Sequence, residues 1–220
     1  MPSFKKGGMF ILSSPSGAGK TTLVKKISKN RNFSISISHT TRSPRPNEKN
    51  GKDYFFISKN NFKKRIKNGE FLEHARVFDN YYGSSKNLVI KKLQEGKNIV
   101  FDIDWQGTRQ IRNKKLKYRL VTIYILPPSK DELLKRLIKR EKKNMNTVKK
   151  RMKEFKKDLS RWKDYDYVVI NDNLSICYKN IMDDNNNDNL MFTPEQKEKK
   201  RKSPIFRYAA IGIIGLALFG

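Results

Sequence analysis

Only one cysteine, Cys177, occurs in the chain. An intrachain disulfide is therefore excluded, and a lone thiol fits a reducing compartment. No charged-then-apolar signal opens the sequence, so the expectation is a chain that folds in the cytoplasm and stays there. No apolar run reaches the roughly 20 residues that span a bilayer. Acidic residues are scarce: 21 Asp and Glu face 49 Lys and Arg, a formal net charge of +28. That balance favours polyanionic substrates. It does not point to a specific nucleic-acid partner, because the lysines are spread through nearly every segment beside many Asn and Ile, as biased codon composition would leave them. No basic stripe with interleaved aromatics stands out. At 220 residues the chain is long enough for one domain with its own core and an appendage.

What is present begins with Ser14-Pro15-Ser16-Gly17-Ala18-Gly19-Lys20-Thr21, between the apolar run Met9-Phe10-Ile11-Leu12 and the amphipathic Leu23-Val24-Lys25-Lys26-Ile27. A buried strand that turns through small residues into a helix aims backbone N–H groups and the positive helix end at one point, where an anion sits. The pattern is G-x-x-x-x-G-K-[ST] with Ser14 in place of the first glycine. Gly17 and Gly19 let the backbone approach phosphates, Lys20 reaches the β and γ oxygens of a nucleoside triphosphate, and the Thr21 hydroxyl can ligate Mg²⁺.

Phe33 to Ser38 alternates apolar and polar as a half-buried strand, followed by an extended loop from His39 to Glu48 that Pro44 and Pro46 keep from becoming helix. Asp53 to Ile57 reads as a short strand. Ser58 caps a helix with Phe62 and Ile66 inward that stops at Gly69. Glu70 to Phe78 with Tyr81 and Tyr82 reads as strand and turn, and Ser85 to Glu95 as a helix ended by Gly96. Asn98 to Asp102 is a buried strand ending in a carboxylate, and Val121 to Leu126 another apolar strand. After Pro127-Pro128, Ser129-x-x-Glu132 forms a capping box before a helix with Leu133, Leu134, Leu137 and Ile138 on one face and Arg136 and Arg140 on another. A second helix carries Arg151 and Met152 to about Trp162, and Tyr167 to Ile170 is the last buried strand, followed by Asn171. This alternation predicts an α/β fold: a P-loop NTPase-type three-layer sandwich around a mainly parallel sheet.

The end of the chain differs in kind. Residues 185–204 read as a polar and then basic linker and 205–220 as an apolar tail. A weak membrane anchor, an incomplete transmembrane helix and a frameshifted tail all fit. The incomplete helix is preferred, since Met191 opens what looks like a fresh start, and membrane contact by the tail is doubtful.

The phosphoryl acceptor must be held elsewhere. Arg42 and Arg45 lie three apart in the proline-stiffened loop, with Tyr54 and Tyr82 nearby in sequence. Two guanidinium forks and two phenols suit a dianionic monophosphate. At this point the sequence resembles the guanylate kinases, which pass a phosphoryl group from ATP to GMP. The resemblance rests on the phosphate loop, on Ser38 to Arg45 with Glu48, on Gly51-Lys52-Asp53-Tyr54, on Phe71-Leu72-Glu73-His74-Ala75, on Asn80 to Ser84, on Asp102-Ile103-Asp104-x-Gln106-Gly107, and on Pro127-Pro128-Ser129 with the arginine-bearing helices after it.

The resemblance covers residues 8 to about 183 and implies a kinase domain over 1–184. Within it, a GMP-binding subdomain would lie at about 38–96 and a helical lid at about 136–152. It implies that Arg42, Arg45, Tyr54 and Tyr82 hold the GMP phosphate with Glu48 orienting the arginines, and that Ser38, Glu73, Ser84 and Asp104 read the base. On the ATP side it implies the loop from Ser14 to Thr21 with Asn171. Thr21 and Asp102 are implied for Mg²⁺, and Arg136, Arg140 and Arg151 join Lys20 and Arg42 at the transferring phosphoryl. The resemblance further implies GMP as the acceptor, with dGMP beside it, and a monomer or homodimer. Phosphoryl transfer needs no base from His39 or His74, both read as structural.

Asn47 and Glu141 stand where the family more usually has Gly, and the lid is rich in Lys. Two other classes remain open: a guanylate-kinase-like binding module without catalysis, against which Lys20-Thr21 argues, and a basic nucleic-acid-binding protein supported by charge alone.

Overall fold

A computed structural model describes residues 7–141 and 144–186. The expected apolar tail and nearly all of the expected linker lie outside the described residues. By contact the described residues divide into two compact units, one made of those up to Ser13 with Val24–Ile123, the other of Ser14–Leu23 with those from Tyr124 on.

Five strands make the main sheet: β1 (Met9–Ser13), β2 (Phe33–Ile35), β7 (Asn98–Asp102), β8 (Leu120–Leu126) and β9 (Tyr167–Ile170), in the order β2-β7-β1-β8-β9. β1 and β2 both run parallel to β7. Every residue of β1 is buried, as expected of a strand covered on both faces. The helix α1 (Lys20–Ile27) follows β1 after the Gly-rich loop. The α/β class read from the alternating pattern is the architecture found.

The second sheet has four strands, β3 (Ser38–Thr40), β4 (Phe55–Phe56), β5 (Phe71–Val77) and β6 (Asn80–Ser85), in the order β4-β3-β6-β5. It is mixed: β3 runs parallel to β4 and antiparallel to β6, which is antiparallel to β5. The run Phe33 to Ser38, expected as one strand, is thus two pieces in two sheets. Its first part pairs with β7 as far as Ser36 N, which donates to Val100 O at 2.9 Å; the chain then leaves and Ser38 pairs with Ser84. An alternating pattern fits either sheet, so it carries no mark of the crossover. His39 and Thr40, expected in the loop, belong to β3, and Tyr81 and Tyr82 to β6 rather than a turn. The reversal is made by Phe78 (φ 50°) and Asp79 (φ 62°), left-handed at both central positions as a two-residue hairpin needs.

Local signals set the helix ends. Ser58 Oγ accepts from Asn61 N at the start of α2 (Lys59–Lys67), and Gly69 (φ 67°) closes it. Ser85 caps α3 (Lys86–Gln94), ended by Gly96 (φ 78°). Two helices have no counterpart in the sequence reading, α4 (Trp105–Asn113), capped by Asp104, and α7 (Leu174–Asn186), which runs into the stretch expected as linker. Ser129 caps α5 (Lys130–Arg140) by accepting from Glu132 N, whereas Glu132 Oε1 turns to Arg136 Nε at 2.8 Å. The helix α6 (Met145–Leu159) starts at Asn144 and ends in a 3₁₀ turn, Ser160–Asp164.

Each unit has its own core. In the first, Met9, Ile11, Leu72, Leu93, Ile99, Phe101 and Ile111 pack together; in the second, Tyr124, Leu126, Leu133, Leu137, Phe155 and Leu159 do. Cys177 is buried in α7, and burial pushes its thiol up to about 11. Among the described residues no helix is long and apolar enough to cross a membrane.

The second sheet rests on an aromatic stack. Phe62 of α2 lies 4.5 Å from Phe71 and 5.4 Å from Tyr81, while His39 stacks on Phe55 at 4.8 Å and meets Phe71 edge-on. Arg65 Nη1 lies 3.1 Å from His39 Nε2; as arginine only donates, this ring nitrogen accepts and the ring is neutral. Burial, then the Arg65 charge, lower the His39 pKa from 6.5 to about 4, with Glu70 opposing. Between those values the unfolded chain takes up a proton that the folded chain refuses, so stability falls as pH drops from 6.5 toward 4 and is fully restored above 6.5. His74 is shifted the same way by burial and Lys114, so a substitution is needed to separate the two. The melting temperature of His39→Gln should decline less between pH 7 and pH 4.5 than that of the native chain; parallel declines would remove His39 from this role.

Candidate active site

The loop after β1 is shaped by two left-handed glycines. Gly17 and Gly19 both have φ 94°. A Cβ on Gly17 would press within 2.9 Å of Leu137 Cδ2, and one on Gly19 would overlap Asn171 Nδ2. Asn171, just after β9, donates from Nδ2 to Ala18 O at 2.8 Å, and its own backbone N donates to Leu126 O at 2.8 Å. The loop is therefore moulded against α5 on one side and the end of β9 on the other. Ser14 Oγ donates to Pro15 O, and Ala18 is fully buried. Lys20 opens α1, and Thr21 follows it with an exposed side chain.

Three arginines predicted for the lid bear on this loop. Arg140 Nη2 and Arg151 Nη1 both donate to Ser16 Oγ, at 2.8 and 2.6 Å. Glu141 Oε1 accepts from Arg140 Nε at 2.8 Å and lies 3.1 Å from Arg151 Nε. Arg136 donates to Asn171 O at 3.1 Å. The Glu141 departure thus puts one carboxylate between two guanidiniums that meet at a loop hydroxyl. The sequence flagged Glu141 as unusual but gave no sign of this bridge, which depends on α6 bringing Arg151 alongside.

All the residues predicted for the acceptor lie in the other unit. Arg42 Nη2 donates to both oxygens of Glu48 at 2.9 Å. Glu48 Oε2 also accepts from Arg45 N at 2.7 Å, and Arg45 Nη1 is 3.6 Å from Glu48 Oε1. Asn47 has φ 71°, the left-handed angle that lets it stand in for Gly. Burial opposes the Arg42 charge, but Glu48 and then Tyr82 outweigh it and raise the pKa. The Arg42 guanidinium sits 5.4 Å from the Tyr54 ring, whose centroid is 6.1 Å from that of Tyr82. Burial, then the Asp102 carboxylate, hold the Tyr54 phenol well above its ordinary pKa, so it stays a hydrogen-bond donor. Asp102 pairs in register with Leu12, two residues before the phosphate loop begins.

Ser38, Ser84 and Glu73 form one rung across β3, β6 and β5. Ser84 Oγ donates to Glu73 Oε1 at 2.6 Å, and both residues are buried. Asp104 is partly committed elsewhere: its Oδ1 accepts from Gln106 N and Gly107 N, and its Oδ2 from Gln106 Nε2. Thr21 and Asp102 offer hard oxygen donors of the kind Mg²⁺ prefers, and among the described residues no group of three or more His, Cys, Asp or Glu could hold a metal ion. A few such protein oxygens completed by phosphates and water is the usual Mg²⁺ arrangement, and each of these two side chains is a donor of that chemistry.

The family profile described as guanylate kinase matches residues 6–184. The chain belongs to the guanylate kinase family. It is 46% identical over 171 residues to the guanylate kinase of a Ruegeria species, covering 77% of this chain and 79% of that protein. It is 45% identical over 179 residues to that of Buchnera aphidicola, covering 80% and 86%. The crystal structure of guanylate kinase from Anaplasma phagocytophilum superposes with a TM-score of 0.67 at 32% identity, over 81% of this chain and 84% of that one. The guanylate kinase resemblance read from the motifs is therefore correct, and the matched region is where the predicted site residues lie.

Gly19→Ala combines a disfavoured angle with a collision against Asn171. It should abolish ATP binding in calorimetric titration while leaving the far-ultraviolet circular dichroism unchanged; retained affinity would show that the loop has another resting shape.

Proposed function

We propose that this chain transfers the γ-phosphoryl group of ATP to GMP, giving ADP and GDP, and accepts dGMP through the same base edge. The observation that carries the proposal lies on β6, where Tyr82 and Ser84 are two residues apart on one face. Two residues of strand span about 7 Å, comparable with the reach from phosphate to base in a nucleoside monophosphate. The Tyr82 end lies beside Arg42 and Tyr54, and the Ser84 end holds Glu73.

Arg42, Arg45, Tyr54 and Tyr82 take the GMP phosphate, with Glu48 fixing the arginine forks in advance. Glu73 accepts from guanine N1–H and the exocyclic amine, assisted by Ser38, Ser84 and Asp104. Adenine would set a lone pair at N1 against that carboxylate, and sites built on such hydrogen bonds reject the wrong ligand by roughly 10⁴-fold. Residues Ser14 to Gly19 cradle the ATP phosphates with backbone N–H groups, Asn171 fixes their backbone, and Lys20 reaches the β and γ oxygens. Thr21 and Asp102 would hold Mg²⁺, whose chemistry is to neutralise the charge shared by the β- and γ-phosphates. Arg136, Arg140 and Arg151 belong to a lid over about 136–152, and the second sheet to a GMP-binding subdomain over about 38–96. Transfer is then a matter of positioning and charge neutralisation, with no protein base required. We place the activity in the cytoplasm, where the ATP and GMP pools and a reducing milieu for Cys177 are found.

An assay coupled to ADP formation, run with ATP and GMP, AMP, UMP or CMP in turn, tests the proposal. Turnover with GMP alone is expected; no turnover with GMP would reduce the chain to a binding module. In the same assay Arg140→Ala should lower kcat at least about a hundredfold with little change in the KM for GMP, whereas Arg42→Ala should raise that KM. The reverse pattern would exchange their roles.

A further inference from the structure

The strand β5 is at the edge of its sheet, with β6 on one side only. Its other edge is met by α4, through two glutamines four residues apart on one helix face. Gln110 Nε2 donates to His74 O at 2.6 Å, and Gln110 Oε1 accepts from His74 N at 3.1 Å. One turn earlier Gln106 Nε2 donates to Arg76 O at 3.3 Å. His74 and Arg76 are the alternate residues whose backbone groups point away from β6, so the amides occupy the places a further strand would fill. The Gln110 carboxamide, bonding one residue through both its N–H and C=O, acts as a peptide unit in side-chain form.

What this edge carries is Glu73, next to His74 in sequence. Its Oε1 accepts from Ser84 Oγ, while its Oε2 lies so close to α4 that a Cβ on Gly107 would overlap it. The carboxylate is thus held between a hydroxyl of β6 and the bare α-carbon of a helical glycine. That fit tolerates little change in the spacing between α4 and β5. Gln110, three residues after Gly107 on the same helix, bridges that gap with two hydrogen bonds, and Gln106 with one.

We propose that Gln110 is a positioning residue for guanine selectivity: by fixing the His74 peptide it holds the Glu73 carboxylate where both guanine N–H donors reach it. This rests on the GMP kinase reading above and deepens it. Gln110 touches no substrate and acts through His74 and Glu73. Losing it lets β5 shift at its outer edge, which weakens the bonds to both guanine N–H donors, the exocyclic amine included.

Two variants separate this from a merely structural role. Gln110→Met keeps the length and loses both bonds; Gln110→Glu keeps an acceptor for His74 N but sets a second oxygen against His74 O. Each should raise the KM for GMP about tenfold, as expected for one or two net hydrogen bonds, with kcat and the KM for ATP within about twofold of native. IMP lacks the exocyclic amine, so each variant should also lose several-fold of the native preference for GMP over IMP. A purely structural contribution would lower the melting temperature and reduce active enzyme without moving that ratio. If the native chain turns over GMP while folded Gln110→Glu keeps both the native KM for GMP and the native GMP:IMP ratio, this inference is overturned alone. A native chain without GMP-dependent turnover overturns the functional reading and this inference together.

Discussion

The phosphate loop exists only because two of its residues carry no side chain. Gly17 and Gly19 take left-handed backbone angles, and the space their side chains would need is filled by Leu137 and Asn171. The loop's shape is thus imposed by the hydrophobic face of α5 and by Asn171, the residue that follows β9. The core formed by Leu133, Leu137, Phe155 and Leu159 reaches the loop directly, since the helices it packs together deliver Arg140 and Arg151 to Ser16. Burial of apolar surface and presentation of positive charge are here one operation.

The same economy governs the other unit. Phe62, Phe71, Tyr81 and His39 form the floor of the second sheet, and the strands laid on it supply Ser38, Glu73, Tyr82 and Ser84 in fixed register. The charges are prepared in advance. Arg42 is gripped at both Glu48 oxygens, so little of its side-chain freedom remains. Ser84 and Glu73 are likewise bonded to each other.

Much of this was legible in the sequence wherever the cause was local. Ser58, Ser85 and Ser129 cap helices, Gly69 and Gly96 end them, and the turn at Asn47 follows from that residue's tolerance of left-handed angles. The phosphate loop and the paired arginines were legible for the same reason, since each is a short motif. Long-range features were not. The passage from β2 to β3 leaves no trace in an alternating pattern, and α4 was hidden because its buried face is Gly107, Thr108 and Ile111, of which only Ile111 is a large apolar residue. It is held by the Asp104 cap, by the edge of β5 and by Ile111 in the core. Gln110 and Glu141 belong to this group, because a single polar residue shows no partner until the chain has folded.

The solitary thiol has a practical side. With its ionisation pushed up to about 11 inside α7, Cys177 is almost wholly un-ionised at neutral pH, and the reactive form of cysteine is the thiolate. The folded protein is therefore nearly blank toward maleimides and iodoacetamides. A cysteine introduced at any exposed position would take a fluorophore or spin label with little background, so Cys177 need not be replaced first.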